Sequence, residues 1–432
     1  MKKIIAGLCL AFITSISALA QTGTWTGKLI VQGTELALTF NIGEASATLD
    51  VPDQGAKNIP VEVSRGETGT LKLNIPSIGA VFEGVWLGKI IAGTFRQHGA
   101  EFQLTLNEGA PVIRRPQTPA GPFPYATEEV EFRNGDAVLK GTLSLPDGCG
   151  RTTPVLIMVT GSGLQNRDEE MFSHKPFAVI ADAFARAGIA TLRYDDRGFG
   201  ESTGDVVSCT TEDLRNDAQA GIELLKTRFD KVGILGHSEG GSIALMLAAE
   251  GKADFVISLA GMIVSGKETL LDQNRHALQA AGSPESEVNA YCELLTDLFT
   301  SFEINGPVPF PYEYEVSDAL KENYLKSVKQ FLTPYMRYFL SLDVSKMLPE
   351  VNCPVMALNG SRDTQVNGGS NLAALKSGLP ENGVNVIREE PGLNHLFQHC
   401  STGELSEYGK IEETFSPDVI SEMISWISGL KL

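Results

Sequence analysis

No CxxC pair and no HExxH spacing occurs in the 432 residues. The ligand patterns of a zinc ribbon and of a metalloprotease helix are therefore missing, and no structural metal is expected. Cysteine itself is scarce: Cys9, Cys149, Cys209, Cys292, Cys353 and Cys400. Cys9 falls in an apparent leader, and the odd number left has room for one or two bridges and at least one unpaired thiol. Positive charge is also short, with 35 Lys+Arg against 53 Asp+Glu and a net charge of -18. No basic stripe is present to meet a phosphate backbone, which excludes nucleic acid as an expected partner. Long apolar runs are absent apart from residues 4–13, a stretch too short to cross a bilayer, so no membrane span is expected.

That first apolar stretch follows Lys2 and Lys3 and leads to Ala18-Leu19-Ala20. The order of basic start, apolar centre and small residues predicts a secretory signal over residues 1–20, cut before Gln21, and export to the periplasm or beyond. Leu8 is too bulky for a lipoprotein cut before Cys9. An apolar content of 42% is enough for a sizeable core, and the length suits two domains.

Residues 21–110 read as β structure. Segments 25–31, 36–42, 71–75 and 102–106 alternate apolar and polar residues with a period of two, and glycines and Asn/Asp clusters separate them. This predicts a small antiparallel β domain, a meander or barrel. Its expected role is packing, or alternatively shaping a substrate entrance. Residues 111–126 hold Pro111, Pro116, Pro119, Pro122 and Pro124 and read as a semi-rigid linker. From residue 127 onward a hairpin (129–132 with 138–145) gives way to strands alternating with helices. Strands are expected at 155–160, 189–194, 232–236, 255–259, 355–358 and 384–388. Helices are expected at 177–187, 210–228, 240–249 and 416–427. Such alternation predicts an α/β fold with a mostly parallel sheet covered on both faces. Residues 264–346 break the alternation with predicted helices at 269–281, 284–299 and 314–342. An insertion here would lie over the strands' C-terminal ends as a helical cap.

The chemistry concentrates in three places. Leu235-Gly236-His237-Ser238-Glu239-Gly240-Gly241 joins an apolar strand to a small-residue helix. A tight strand-to-helix turn exposes a serine and holds it rigidly, and it leaves no room for side chains two residues to either side. Ser238 is thus the candidate nucleophile. A serine needs an imidazole, and the imidazole needs an orienting carboxylate. Of the six histidines, His395 follows the last strand in a short loop, Pro391-Gly392-Leu393-Asn394-His395-Leu396-Phe397, and is the candidate base. His98 lies in the β domain, His174 and His237 precede the expected position, His276 sits in the cap and His399 is further on. Asp363 ends the strand-turn segment Val355-Met356-Ala357-Leu358-Asn359-Gly360-Ser361-Arg362-Asp363 and is the candidate partner of His395. An oxyanion hole needs two backbone N–H groups. Glu239 is expected to supply one, and the Gly161-Ser162-Gly163 loop the other, from Ser162 or alternatively from Gly163.

These motifs, together with Arg193-Tyr194-Asp195-Asp196-Arg197-Gly198-Phe199-Gly200-Glu201-Ser202, resemble the α/β-hydrolase superfamily over residues 127–432. More narrowly, the chain is similar to bacterial secreted esterases with an N-terminal β domain, related to prolyl-oligopeptidase-like and acyl-peptidase-like serine hydrolases. Many relatives carry His-Gly where this chain has Thr160-Gly161. The resemblance implies hydrolysis of small carboxylic esters through an acyl-enzyme, without metal or cofactor. A serine peptidase on the same residues is the alternative, and a non-catalytic binding protein that keeps the fold is a second. A small-molecule ester or peptide substrate is the expected partner. Asp196 and Arg197 are expected to form a structural ion pair and turn, and Asp168 and Glu169 to be solvated. Tyr312, Tyr314, Tyr324, Tyr335 and Tyr338 are expected to be core, or alternatively to line a substrate pocket.

Overall fold

A computed structural model describes residues 22–431 apart from 32–33, 45, 52–53, 55, 67–68, 98 and 110–113. The expected leader, His98 and part of the linker lie outside the described residues. The chain divides into two compact units, the first running to Arg114 and taking in Tyr408–Lys410, the second made of Arg115–Glu407 and Ile411–Leu432.

The first unit is a closed antiparallel barrel, β1 to β8 in sequence order. Its strands are Gly23–Val31, Thr34–Ile42, Ser46–Val51, Ala56–Arg65, Thr70–Ile75, Ala80–Trp86, Ile90–Gln97 and Ala100–Glu108. The period of two in the sequence puts one residue in two inside. Leu71, Leu73 and Ile75 are buried while Thr70 and Lys72 face out. Trp25, Phe40, Leu49, Phe82, Ile91 and Leu106 are fully buried and pack the interior, as side chains do in a small barrel.

The second unit holds an eight-stranded sheet. Its strands are β9 (Ala126–Asn134), β10 (Ala137–Leu145), β11 (Val155–Val159), β12 (Ala190–Tyr194), β13 (Val232–His237), β14 (Val256–Leu259), β15 (Val355–Gly360) and β16 (Val386–Glu390). Their order is β16-β15-β14-β13-β11-β12-β10-β9. The β9–β10 hairpin closes through Gly135-Asp136 and joins β12 antiparallel, and every pair from β12 to β16 is parallel. The inner strands are continuous apolar runs, buried on both faces. Helices α1 (Pro176–Arg186), α2 (Thr211–Lys226), α3 (Glu239–Ala249) and, later, Gly368–Gly378 and Pro417–Gly429 cover the sheet. The α2 start is tied by Asp213, whose carboxylate accepts both the N–H and the hydroxyl of Thr210. After β11 the chain moves to β12 on one side and then to β13 on the other, so the sheet's switch point lies at β11 and β13, where ligands bind in open α/β sheets.

The insertion between β14 and β15 is helical, with one correction. Helices α4 (Gly266–Ala280) and α5 (Glu285–Glu303) stand close to the expected positions, but the single helix expected at 314–342 is two: α6 (Asp318–Phe331) and α7 (Pro334–Ser341). Pro334 has no N–H to continue α6, and Thr333 turns extended and caps the new helix by accepting the Met336 N–H. Cys149, Cys209, Cys292, Cys353 and Cys400 are all free thiols, so none of the bridges allowed for is formed. Among the described residues, no helix is long and apolar enough to cross a membrane.

Candidate active site

Ser238 stands between β13 and α3 with φ 53° and ψ -118°, a conformation that L side chains rarely adopt. The flanking glycines are required by contact. A Cβ on Gly236 would lie 2.0 Å from the Gly240 carbonyl oxygen, and one on Gly240 would lie 2.0 Å from the Val159 oxygen. The elbow is pinned by the Ser238 N–H, which donates to Leu259 O at 2.8 Å. Its strain is therefore held by the neighbouring strand. The α3 N-terminus begins at Glu239, so the unpaired N–H groups of its first turn point toward the serine end.

His395 sits on the loop after β16. Its Nδ1 stands 2.8 Å from Asp363 Oδ2, and both side chains are shielded from solvent. Asp363 Oδ1 accepts the N–H groups of Gln365 and Val366 at 2.8 and 2.9 Å, and Oδ2 also accepts from Asn359 Nδ2 at 3.2 Å. With the ring counted, four donors surround this carboxylate and fix its orientation toward the ring. The histidine loop is built on Asn394, whose Oδ1 accepts the N–H groups of Leu396 and Gln398 and whose Nδ2 donates to Gln398 Oε1. Gly360 lets that loop approach, since a Cβ there would lie 2.3 Å from Leu393 O. The Asp363 and His395 side chains are thus brought together. Among the described residues, no hydrogen bond joins the Ser238 hydroxyl to the His395 ring, and bonds of this kind commonly tighten only with substrate seated. What links the two is the residue before the serine: the His237 and His395 rings lie 4.6 Å apart, centroid to centroid.

The loop after β11 lies against the serine. A Cβ on Gly161 would come 3.1 Å from Ser238 Cβ, which places the neighbouring Ser162 beside the elbow. The Glu239 side chain is fully buried and accepts from Thr211 Oγ1 at 2.6 Å and from Tyr335 Oη at 2.5 Å. Tyr335 is on α7, so this cap helix is tied to the residue that follows the serine. Burial first, and then the Glu239 carboxylate, push the Tyr335 phenol far above its ordinary range, so it stays protonated and donates.

Several expectations are corrected. Glu169 is not solvated: it is 1% exposed, and its Oε1 accepts the Gly161 N–H at 2.8 Å and stands 2.9 Å from His237 Nδ1. Asp168 pairs with Arg193. Arg197 pairs with Asp217, 20 residues on, through two bonds of 2.7 Å, because α2 runs behind the turn. Asp196 instead accepts from Thr160 Oγ1 and from the Gln165 N–H, which shapes the loop after β11. Burial raises the Asp196 carboxyl to about 8 despite these donors. Tyr324 is core, Tyr312 is largely exposed, and Tyr338 bonds Glu212 at 2.7 Å. His399 is exposed and pairs with Glu413, away from this arrangement. Glu169 and His237 are therefore residues beside the elbow that sequence reasoning did not assign to it, while Tyr335, allowed as core or pocket lining, meets Glu239. Glu169 lay in a run of charged residues that looked like a solvated face, and no spacing marked it.

A sequence family described as serine aminopeptidase, S33, matches residues 173–377. Esterase EstD of Thermotoga maritima is 28% identical over 262 residues, 60% of this chain and 58% of that protein, so the match spans little more than half of the relative. An esterase of Pyrococcus furiosus is similar in structure with a TM-score of 0.42 and 16% identity over 70% of this chain and 92% of that one. Est1E from Butyrivibrio proteoclasticus has a TM-score of 0.40 and 16% identity over 69% of this chain and 99% of that one. The parallel sheet switching direction at β11 and the strained serine elbow after β13 give this chain the α/β-hydrolase fold, and its residues 173–377 are similar to the serine aminopeptidase family.

Proposed function

We propose that this protein is a serine carboxylesterase acting on small acyl esters. Ser238 Oγ attacks the ester carbonyl as His395 Nε2 takes its proton. Asp363 holds the ring with Nε2 toward the serine and stabilises the imidazolium that forms. The Glu239 and Ser162 N–H groups receive the oxyanion. The alcohol leaves with the proton from His395, and water activated by the same ring hydrolyses the acyl-serine. The observation that carries this reading is the 2.8 Å contact of His395 Nδ1 with a donor-saturated Asp363, on a loop held next to a strained serine elbow. The esterase relative from Thermotoga maritima supports it. Fluorophosphonate labelling and p-nitrophenyl acetate hydrolysis test it: both are expected in the wild type and both should vanish in Ser238→Ala. Labelling that survives the substitution removes Ser238 from the role.

A second reading, a peptidase on the same residues, is favoured by the description of the matched family. A panel of aminoacyl amides beside acyl esters separates the two, and selective amide cleavage supports the peptidase. We also propose that the chain is exported after cleavage near Ala20, which N-terminal sequencing of the secreted protein checks.

A further inference from the structure

Beside Ser238 lies a second imidazole–carboxylate pair that the proposed chemistry does not use. His237 is 5% exposed and Glu169 1%. His237 Nε2 stands 2.8 Å from the backbone carbonyl oxygen of His395, and Nδ1 stands 2.9 Å from Glu169 Oε1. A carbonyl oxygen only accepts, so Nε2 must carry a hydrogen. A neutral ring would then turn the Nδ1 lone pair toward a carboxylate. If the hydrogen moved to Nδ1, the contact with the His395 carbonyl would be lost instead. Only a ring with hydrogens on both nitrogens satisfies both neighbours.

The same carboxylate oxygen accepts the Gly161 N–H at 2.8 Å. One relay therefore runs from the loop that carries Ser162, through Glu169 and His237, to the backbone of the base. Resting on the reading of Ser238 and His395 given above, we propose that His237 is a positioning residue: as an imidazolium it ties the His395 loop to the loop after β11, and its deprotonation frees one of them.

The surroundings explain why the proton stays. Glu169 faces the ring from the loop after β11, Asp363 from the end of β15, and the His395 ring and carbonyl from the loop after β16. The next carboxyl, Asp196, lies behind Glu169, with which it interacts. Among the described residues, the cavity beside the ring is otherwise lined by apolar groups: Pro176, Phe177 and Ile180 of α1, Leu259 of β14, and Leu396 and Phe415. On β13 itself no other residue is charged, and the Glu239 carboxylate that follows is taken up by Thr211 and Tyr335. Burial opposes the charge on His237. Glu169, through its charge and its hydrogen bond, then the His395 carbonyl and Asp363 outweigh burial and raise the ring's affinity for its proton above the ordinary imidazole. For a group raised on folding, the tie is intact at low and neutral pH and is lost as pH rises through the folded value. His395 must be unprotonated to act as base. The alkaline limb of a pH–kcat profile thus belongs to His237.

The test is the pH dependence of p-nitrophenyl acetate hydrolysis by the full chain and two variants. Glu169→Gln removes the charge that holds the proton, and should move the alkaline limb of kcat toward neutral pH with KM and the acid limb unmoved. His237→Gln should remove the alkaline limb and lower the kcat plateau by about 100-fold, the loss expected when a reacting group is displaced by about 1 Å. Alkaline limbs unchanged in both variants overturn the proposal, since loss of packing alone lowers the plateau without moving a limb. Ring-nitrogen NMR of the Ser238→Ala protein, assigned with His237→Gln, reads the proton without any activity. Both His237 nitrogens should be protonated at neutral pH, and a neutral ring overturns the proposal. Activity that persists in Ser238→Ala instead defeats the esterase reading, and the NMR result still decides His237.

Discussion

Tyr335, on the cap helix α7, donates its phenolic hydrogen across 2.5 Å to the carboxylate of Glu239, the residue immediately after the strained serine. Thr211 supplies the other donor, and the carboxylate is fully buried. A buried carboxylate stripped of one donor is left with an unmet desolvation penalty. Tyr335→Phe should therefore destabilise the protein by about 1–3 kcal/mol. Chemical denaturation of the variant checks this, and an unchanged midpoint with an unchanged slope would mean that the contact does not form in solution.

Asp363→Asn keeps the shape but replaces an anion that accepts from His395 Nδ1 with an amide. The imidazole is then free to adopt the wrong tautomer, and kcat should fall by about 10⁴-fold at neutral pH with KM little changed. Steady-state hydrolysis of p-nitrophenyl acetate measures it. A loss below about tenfold would place the orienting role on another group.

Asp196 gives a dependence of stability on pH with a definite sign. Its carboxyl is raised from an ordinary 3.8 to about 8 by burial. Between those two values the unfolded chain has released the proton and the folded chain has not. The unfolded state then binds fewer protons, so this group makes stability fall as pH rises through that window and level off above it. The neutral isostere Asp196→Asn should flatten that fall and be the more stable protein at the alkaline end. Urea midpoints measured across the window give the slope, and an identical slope in the variant would mean that Asp196 is ionised in the fold.

Arg197 and Asp217 form a buried ion pair with two bonds of 2.7 Å, and Asn134 Nδ2 adds a third to the same carboxylate. Asp217→Ala leaves the guanidinium buried without its partner and should cost about 3–5 kcal/mol. Thermal unfolding reads this loss, and a change under about 1 kcal/mol would show the pair to be hydrated.

Gly240→Ala places a methyl group 2.0 Å from the Val159 oxygen, a backbone atom that cannot swing away. The elbow must shift, so the variant should lose fluorophosphonate labelling and at least about 3 kcal/mol of stability. A folded, fully labelled variant would show that β11 yields more easily than the packing implies.

Much of this was legible in the residues. The elbow could be read because its two glycines sit at a spacing that only a close backbone crossing demands, and the Asp363–His395 contact because each residue lies in a loop that follows one of the last two strands. The alternation in residues 71–75 and the unbroken apolar run at 155–159 announced a barrel strand and a doubly covered strand, since each pattern follows from which faces are buried. What local pattern could not reach were partners far apart in the chain. Glu169 meets His237 across 68 residues and Tyr335 meets Glu239 across 96. Sheet order and the course of the cap decide those meetings, and a single charged or aromatic residue carries no period that reveals them. The same limit explains why Glu169, in a run of acids and an arginine, read as solvated and is instead buried. The chain alone determined where the serine elbow and the loops that follow the strands lie, because strand period and turn geometry are properties of neighbouring residues. Only the folded packing decided which charges lose their water and which carboxylates meet His237 and His395.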